Sequence, residues 1–165
     1  MNKVILVNII NQWRQVKNDK RVPLGMLYLG ASLKKNGYNV EVYHIFENEI
    51  DKYLTLFDTK NCLFIAVTSI LTGHSLRGSI NFSKKVKHLF PSIPVVWGGI
   101  QPSAIPELCL QEDYVDYVGI GEGEELIVEI AQMFEGKLQP EMIDGLAYKD
   151  NSGKIFINNK REFIH

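Results

Sequence analysis

Two adjacent glycines, Gly98 and Gly99, end a short apolar run at residues 94–97 that is typical of a buried parallel strand. Glycine leaves no side chain there and lets another group approach the backbone closely. The carboxyl end of such a strand is also where open α/β sheets bind ligands. Ser69 and Thr72 follow another apolar run, and their hydroxyl groups could hydrogen-bond to a ring or a ribose at the same edge. The pattern favours a slot for a flat ligand, with a plain strand-to-helix turn and helix-capping hydroxyls as the alternative.

None of the loops predicted at this edge combines an acid, a base and a nucleophile, so we predict no catalytic residue. Residues 8–11 contain no glycine for a dinucleotide fingerprint, and the chain has no Gly-Lys-Ser or Gly-Lys-Thr for a phosphate loop. A response regulator would need an aspartate where Val67 and Thr68 stand. The acidic side chains among residues 119–125 would repel a diphosphate. A flavin stays open, because residues 69–74 could hold a phosphate.

The composition indicates one domain with an ordinary core and no special partner surface. The 165 residues carry a formal net charge of −1 with mixed signs, which argues against a nucleic-acid footprint. Cys62 and Cys109 lie far apart in apolar segments and are interpreted as buried hydrophobic residues, not as a disulfide or metal site. No run approaches the ~20 apolar residues of a membrane span, and no secretory signal is evident. We therefore expect a cytoplasmic protein.

Strand-like and helix-like stretches alternate along the chain, which predicts a parallel sheet with helices on both faces. The predicted strands are residues 4–10, 40–45, 63–67, 94–97 and 115–120. The predicted helices begin near Pro23, Ile50, Ser75, Ser103 and Leu126. The apolar face of the first helix would consist of Leu24, Leu27, Tyr28 and Ala31, and Ser103 would cap the fourth helix.

The first and third strands are apolar on both sides and belong in the middle of the sheet. This favours a flavodoxin-like (Rossmann-like) fold, a doubly wound five-stranded parallel sheet of order 2-1-3-4-5. Residues 146–149 and 154–157 flank a turn and predict a C-terminal β-hairpin. We expect an α/β domain over residues 1–137 and a hairpin extension over residues 138–165.

Five short motifs occur in order along the chain: residues 23–29, 69–72, 97–103, 121–124 and 143–148. Together they resemble the N-terminal cobalamin-binding domain of cobalamin-dependent radical S-adenosylmethionine enzymes. That class includes many methyltransferases and the magnesium-protoporphyrin ester cyclase-like enzymes. The resemblance covers nearly the whole chain. It implies binding of cobalamin, as methylcobalamin or hydroxocobalamin, with the benzimidazole tail in the sheet cleft and the corrin ring over the carboxyl ends of the strands.

The resemblance also implies which residues line the tail pocket. They follow the third, fourth and fifth strands: Ser69, Leu71, Thr72 and Gly73; Gly98, Gly99, Gln101 and Ser103; Gly119, Glu122 and Gly123.

The lower face of the cobalt is the first departure from the related methionine-synthase-like domains. Those domains carry Asp-x-His-x-x-Gly after the first strand, and its histidine ligates cobalt. Residues 8–24 contain no histidine here. The resemblance therefore implies base-off cobalamin without a histidine ligand, with Trp13, Gln15 or Leu24 as candidates to cover the lower face. His74 lies in a cleft loop but is interpreted as an exposed or helix-start histidine.

The catalytic half of the family is the second departure. That half carries Cys-x-x-x-Cys-x-x-Cys for an iron–sulfur cluster, and two lone cysteines cannot supply it. The cluster and S-adenosylmethionine are expected on a C-terminal radical S-adenosylmethionine domain, the partner in cis, and this chain alone should not turn over. The leading hypothesis is a cobalamin carrier domain of a methyltransferase or cyclase. The alternatives are a degenerate docking or substrate-binding module and, third, a flavin-binding electron carrier.

Overall fold

The computed structural model describes residues 1–10, 22–69, 74–150 and 152–161, with only the backbone described at residues 74 and 75. The strands in that part of the chain are β1 (Lys3–Ile10), β2 (Asn39–Phe46), β3 (Cys62–Thr68), β4 (Val95–Gly98), β5 (Tyr117–Gly119), β6 (Leu146–Lys149) and β7 (Ile155–Ile157). The α-helices are α1 (Leu24–Lys35), α2 (Ile50–Leu54), α3 (His74–Leu89), α4 (Ile100–Ala104), α5 (Pro106–Leu110) and α6 (Leu126–Phe134).

The strands form one sheet of order β2-β1-β3-β4-β5-β6-β7. The first five in that order are parallel, so the predicted doubly wound sheet of order 2-1-3-4-5 is confirmed. The predicted hairpin is also present, but it continues the sheet: β6 runs antiparallel to β5, and β7 antiparallel to β6. The sheet thus has seven strands instead of five. Pairing with β6 covers the edge of β5, whose backbone groups would otherwise lie unpaired at the end of the sheet.

The two faces of the sheet have separate apolar cores. Helices α1 and α6 cover one face, where Leu33 and Ile130 pack on Leu6 and Phe64. Helices α2, α3 and α5 cover the other face, where Phe82 of α3 is fully buried. Because side chains alternate along a strand, every second residue of β1, β3, β4 and β5 faces the α1 and α6 side.

Helix α1 begins as predicted, but the side that it turns towards the sheet differs from the prediction. Leu24, Leu27, Tyr28 and Ala31 are exposed, and the buried side of the helix holds Met26, Gly30 and Leu33. Gly30 explains the difference. A Cβ atom there would lie 3.5–3.7 Å from side-chain atoms of β2 and β1, so the helix packs closely on the sheet at this glycine. The helix is apolar over both sides of its first two turns, and periodicity alone did not distinguish them.

The predicted fourth helix is divided in two. Ser103 is not its N-cap: it lies inside α4, which begins at Ile100, and its backbone N–H donates to the carbonyl oxygen of Gly99 (3.1 Å). Pro106 begins α5, because proline fits the first turn of a helix and disfavours helical backbone at the residue before it.

The two cysteines are free thiols, as the sequence indicates. Cys109 is buried and Cys62 is partly buried. Burial raises the pKa of the Cys62 thiol to about 11, so it is protonated at neutral pH and a poor metal ligand. Within the described residues there is no cluster of three or more metal-ligating side chains, and no helix long and apolar enough to cross a membrane.

Arg161 fastens the chain after β7 to helix α6. Its guanidinium makes two hydrogen bonds to the Glu129 carboxylate (2.7 and 3.0 Å) and one to Glu125 (3.2 Å). A fourth goes to the carbonyl oxygen of Asp144 (3.1 Å). The Arg161 side chain is 13% exposed. Planar, paired contacts of this kind are the strong form of the arginine–carboxylate interaction.

We expect Arg161→Ala to lower the free energy of unfolding by about 1.5–3 kcal/mol, the usual range for hydrogen bonds to charged groups. Denaturant unfolding followed by circular dichroism measures the effect. Arg161→Lys keeps the charge but loses the fork and should recover less than half of the loss. A lysine variant as stable as the wild type would show that charge alone, and not paired geometry, holds this segment.

Candidate functional site

A cleft of about 420 Å³ opens at the carboxyl ends of the parallel strands, on the face covered by α1 and α6. It lies at the edge of the sheet where ligands of open α/β folds bind. Its lining comes from the ends of β1, β3, β4 and β5, the first turns of α1, the loop before α6 and α6 itself. The lining residues used below are Asn8, Leu24, Gly25, Met26, Leu29, Ala66, Thr68, Val96, Gly98, Gly99, Gly119, Gly121, Glu122, Gly123, Glu124, Leu126, Ile127 and Ile130.

The floor of the cleft follows from the register of the strands. Asn8 pairs with Thr68, and Thr68 pairs with Gly98, so these three form one row at the mouth. One step deeper on the same face, Ala66 pairs with Val96. In the row at the mouth the side chains become smaller towards β4 and end at Gly98, and in the deeper row Ala66 is the small residue. The cleft therefore exists because several residues at these strand positions have small side chains or none.

The two adjacent glycines have different structural roles. A Cβ atom added at Gly98 would meet no atom within 4 Å, so it would project into open space. Because Gly98 lies two residues after Val96 on β4, this space is on the cleft side of the sheet. Gly99 has φ +107°, and a Cβ atom there would lie 2.7 Å from the carbonyl oxygen of Ser69. Gly98 leaves room in the cleft, whereas Gly99 is required by the turn.

Helices α1 and α6 form the side walls of the cleft, and the loop before α6 connects them. The Ser32 hydroxyl of α1 donates to the carbonyl oxygen of Glu124 (2.6 Å). At Gly123 the loop touches α1, because a Cβ atom there would lie 2.8 Å from Leu29 Cδ2. The walls contribute apolar side chains: Met26 and Leu29 from α1, and Leu126, Ile127 and Ile130 from α6.

Three predicted site residues brace the loops and are not among the lining residues. The fully buried Ser69 hydroxyl donates to Gln101 Oε1 (2.9 Å), which connects the loop after β3 to α4. The backbone N–H of Gly121 donates to Ser103 Oγ (3.1 Å), which connects α4 to the loop after β5. These two contacts join the segments that follow the third, fourth and fifth strands.

The other predicted site residues divide into two groups. Those that line the cleft are Leu24, Gly98, Gly99, Gly119, Glu122 and Gly123. Leu71, Thr72 and Gly73 lie outside the described residues, as do Trp13 and Gln15. His74 is the first residue of α3, which agrees with the helix-start interpretation.

The sequence reasoning missed the polar residues at the mouth and the apolar residues at depth. Asn8 and Thr68 could have been found, because strand alternation puts them on the same face as Gly98. Asn8 also contacts His44 on β2, with 2.8 Å between Asn8 Nδ2 and His44 Nδ1. Met26 and Leu29 of α1 were missed because the other side of that helix was predicted as its apolar face. The apolar residues of α6 were predicted only as part of a helix, and nothing in a sequence distinguishes core from cleft wall on the same helix face.

The charges at the cleft are negative. Glu122 and Glu124 line it, and among its described lining residues there is no lysine or arginine. A site for a phosphate of charge −2 normally offers cationic side chains or a free helix N-terminus. The arrangement fits a ligand with an apolar end and little net negative charge.

Comparison with known proteins assigns the family. The family model described as the B12 binding domain matches residues 19–131. The chain belongs to the B12-binding domain family. Together with the relatives described next, this match confirms the predicted resemblance to the cobalamin-binding domain of cobalamin-dependent radical S-adenosylmethionine enzymes, and the chain is homologous to the cobalamin-binding parts of radical S-adenosylmethionine methyltransferases.

One curated relative and two solved structures illustrate this family. Cytidylyl-2-hydroxyethylphosphonate methyltransferase of Streptomyces wedmorensis is 23% identical, over 86% of this chain and 30% of that protein. The cobalamin-dependent S-adenosylmethionine radical enzyme OxsB, with aqua-cobalamin and S-adenosylmethionine bound, superposes with a TM-score of 0.77 at 18% identity, over 99% of this chain and 23% of that one. The radical S-adenosylmethionine methyltransferase TsrM of Kitasatospora setae, with cobalamin and a 4Fe-4S cluster bound, superposes with a TM-score of 0.70 at 20% identity. That match covers 100% of this chain and 30% of TsrM.

This chain therefore spans about a quarter to a third of the length of these proteins. At the identities of the two structures the superpositions establish the shared fold. The cleft of this B12-binding domain can be compared directly with the shape of the cofactor. Gly98 leaves open space that a Cβ atom would enter. An apolar cleft of about 420 Å³ with polar residues at its mouth fits a nucleoside-like tail.

Proposed function

We propose that this chain binds cobalamin base-off, with the nucleotide tail in the cleft and the corrin ring outside it, over the carboxyl ends of the parallel strands. The observation that carries the proposal is the open space at Gly98, together with the small side chain of Ala66 on the neighbouring strand. A tail that ends in a flat base fits a narrow space between a sheet and two helices. The ring is far too large for a cleft of this volume and would cover its mouth.

The chain's own residues would bind and orient the cofactor. Met26, Leu29 and Ile127 would contact the base, and Asn8 and Thr68 would offer hydrogen bonds to the sugar or the phosphate linkage. Leu24, exposed beside the cleft, would cover the lower face of the ring. When bound, cobalamin supplies a cobalt centre that can carry a methyl group; the protein supplies orientation and exclusion of water.

The lower axial position is proposed to lack a histidine ligand. Residues 8–24 contain no histidine. His44 on β2 contacts Asn8 at the mouth, and its Nδ1 atom is engaged with the Asn8 amide (2.8 Å). This favours the base-off form without a protein nitrogen on cobalt.

The reaction class proposed is methyl transfer, with the cyclase-like reaction as the second possibility. The support for methyl transfer is the methyltransferase names of the Streptomyces relative and of TsrM. The iron–sulfur cluster and S-adenosylmethionine would be held by a radical S-adenosylmethionine domain in the same polypeptide, because the relatives are three to four times longer than this chain. The carrier itself would not turn over substrate.

The test is binding by the purified chain. We expect protein mixed with methylcobalamin or hydroxocobalamin to retain about one corrin per chain after desalting. The visible band of bound methylcobalamin should shift to shorter wavelength, as it does when the base leaves cobalt. Retention without that shift would contradict the base-off form. A protein that retains no corrin would support the docking module, and one that is yellow as purified would support the flavin carrier.

A further inference from the structure

We infer that the cleft selects among corrinoids by the base at the end of the tail, preferring 5,6-dimethylbenzimidazole to a purine such as adenine. The inference rests on the proposed function, because it concerns the part of the cofactor that enters the cleft. Both kinds of base are flat and of similar size. They differ in hydrogen-bonding groups: adenine has an exocyclic amino group and several ring nitrogens, whereas the dimethylbenzimidazole edge carries methyl groups.

The deep part of the cleft is apolar on every side that the structure describes. Ala66 and Val96 form the floor, one step below the row of Asn8, Thr68 and Gly98. The walls above this floor come from the two helices: Met26 and Leu29 of α1, and Leu126, Ile127 and Ile130 of α6. None of these side chains carries a hydrogen-bond donor or acceptor of ordinary strength.

Four backbone groups of the glycine loops are already engaged in hydrogen bonds. The carbonyl oxygens of Gly98 and Gly99 accept from the backbone N–H groups of Ser69 (2.9 Å) and Ser103 (3.1 Å). The carbonyl oxygen of Gly123 accepts from the N–H of Ile127 (2.8 Å), and the N–H of Gly121 donates to a side chain of α4. The glycines open space for a ring, but these four backbone groups are already paired within the protein and do not serve its edge.

The polar side chains of the lining lie at the mouth. Asn8 is near the end of β1, Thr68 ends β3, and Glu122 and Glu124 belong to the loop before α6. A tail that enters base first leaves its ribose and phosphate linkage at this polar level. The base then lies among apolar side chains, where dimethylbenzimidazole buries methyl groups and adenine leaves its amino group unpaired.

An apolar pocket rejects an added polar group only moderately, by about 10- to 100-fold. We therefore expect cobalamin to bind this chain about 10- to 100-fold more tightly than its adenine-containing counterpart, adeninylcobamide. The two corrinoids share the same ring, ribose and phosphate linkage. The difference in affinity therefore comes from the base. It combines the contact of the base with the cleft and the different strength with which each base binds cobalt in water.

The decisive variant is Val96→Thr, which replaces one methyl group of the cleft floor with a hydroxyl. Because the coordination of each corrinoid in water is the same for wild type and variant, the change in the ratio of the two dissociation constants isolates the contact with the base. We expect Val96→Thr to reduce the preference for cobalamin by about three- to tenfold, the worth of one hydrogen bond. The matched control is Val95→Thr, the same change on the opposite face of β4, which should leave the ratio unchanged.

The measurement is spectral titration of wild type, Val96→Thr and Val95→Thr with cobalamin, adeninylcobamide and cobinamide, which lacks the nucleotide. Three results together would support the inference. Cobalamin binds tightly, cobinamide binds weakly, and the ratio of the dissociation constants of adeninylcobamide and cobalamin falls only in Val96→Thr. A ratio of the two dissociation constants that stays the same in Val96→Thr, or that changes equally in both variants, would overturn the inference and leave cobalamin binding intact. Failure of every corrinoid to bind would overturn the proposed function itself.

Discussion

Gly98→Val is expected to weaken the binding of cobalamin by about ten- to a hundredfold, because overpacking a filled site costs about 1–3 kcal/mol. The fold should not suffer. A Cβ atom at Gly98 meets nothing within 4 Å, and Gly98 is not among the glycines with positive φ. Valine also suits a strand. We expect the free energy of unfolding to stay within about 0.5 kcal/mol of the wild type, as for substitutions that touch no neighbour.

The effect should follow the volume added to the cleft. Gly98→Ala adds one methyl group and should weaken binding less than Gly98→Val does. Ala104→Val is a matched control, because Ala104 is exposed on α4 and does not line the cleft. Spectral titration with methylcobalamin gives the affinities, and denaturant unfolding gives the stabilities. A folded Gly98→Val protein with wild-type affinity would mean that the tail does not enter this cleft.

The order of the parallel strands was predictable because the apolar pattern of each strand indicates whether it lies in the middle or at an edge of the sheet. Residues 4–7 of β1 and 64–67 of β3 are buried in the structure, and both strands read as continuous apolar runs. β2 alternates and lies at an edge. The position of the hairpin was less predictable, because pairing with β5 depends on backbone hydrogen bonds such as that from the Ile120 N–H to the Gly145 carbonyl (2.8 Å), which leave no trace in side-chain type.

The site was predictable in place but not in detail. The glycines at the carboxyl ends of β4 and β5 marked the cleft, because a strand that ends without side chains leaves space at the edge where ligands bind, as at Gly98. The pairing of Ser69 with Gln101 was not predictable, since the two are 32 residues apart and both residue types also suit ligand binding. The walls from α1 depended on which of two apolar faces turned inward, and a close approach at Gly30 decided that.

The adjacent glycines looked equivalent in the sequence, because residue type reveals neither φ nor the direction of a Cβ atom. The structure separates them. Substituting both at once would lose the fold together with the cleft and could not distinguish a carrier from a docking module. Each position therefore needs its own variant, one that tests binding and one that tests the turn.

Gly99→Ala is expected to lower the free energy of unfolding by about 3 kcal/mol or more, a large share of the 5–15 kcal/mol that stabilises a typical domain. Gly99 has φ +107° and ψ −174°, a backbone conformation that only glycine adopts without strain. The new Cβ atom would also lie 2.7 Å from the Ser69 carbonyl oxygen and 3.1 Å from Thr68 Oγ1. A backbone oxygen cannot rotate away, so β3 and β4 would have to separate at their last pair.

Gly25→Ala provides the matched control for this loss, because it adds the same methyl group at a glycine of helix α1 where a Cβ atom meets nothing within 4 Å. Alanine in a helix should leave stability unchanged or raise it by about 0.5–1 kcal/mol. Denaturant unfolding of the two variants beside the wild type measures the difference. If Gly99→Ala unfolded at the wild-type denaturant concentration, the turn after β4 would have to adopt another backbone conformation, and the separation of the two glycine roles would be wrong.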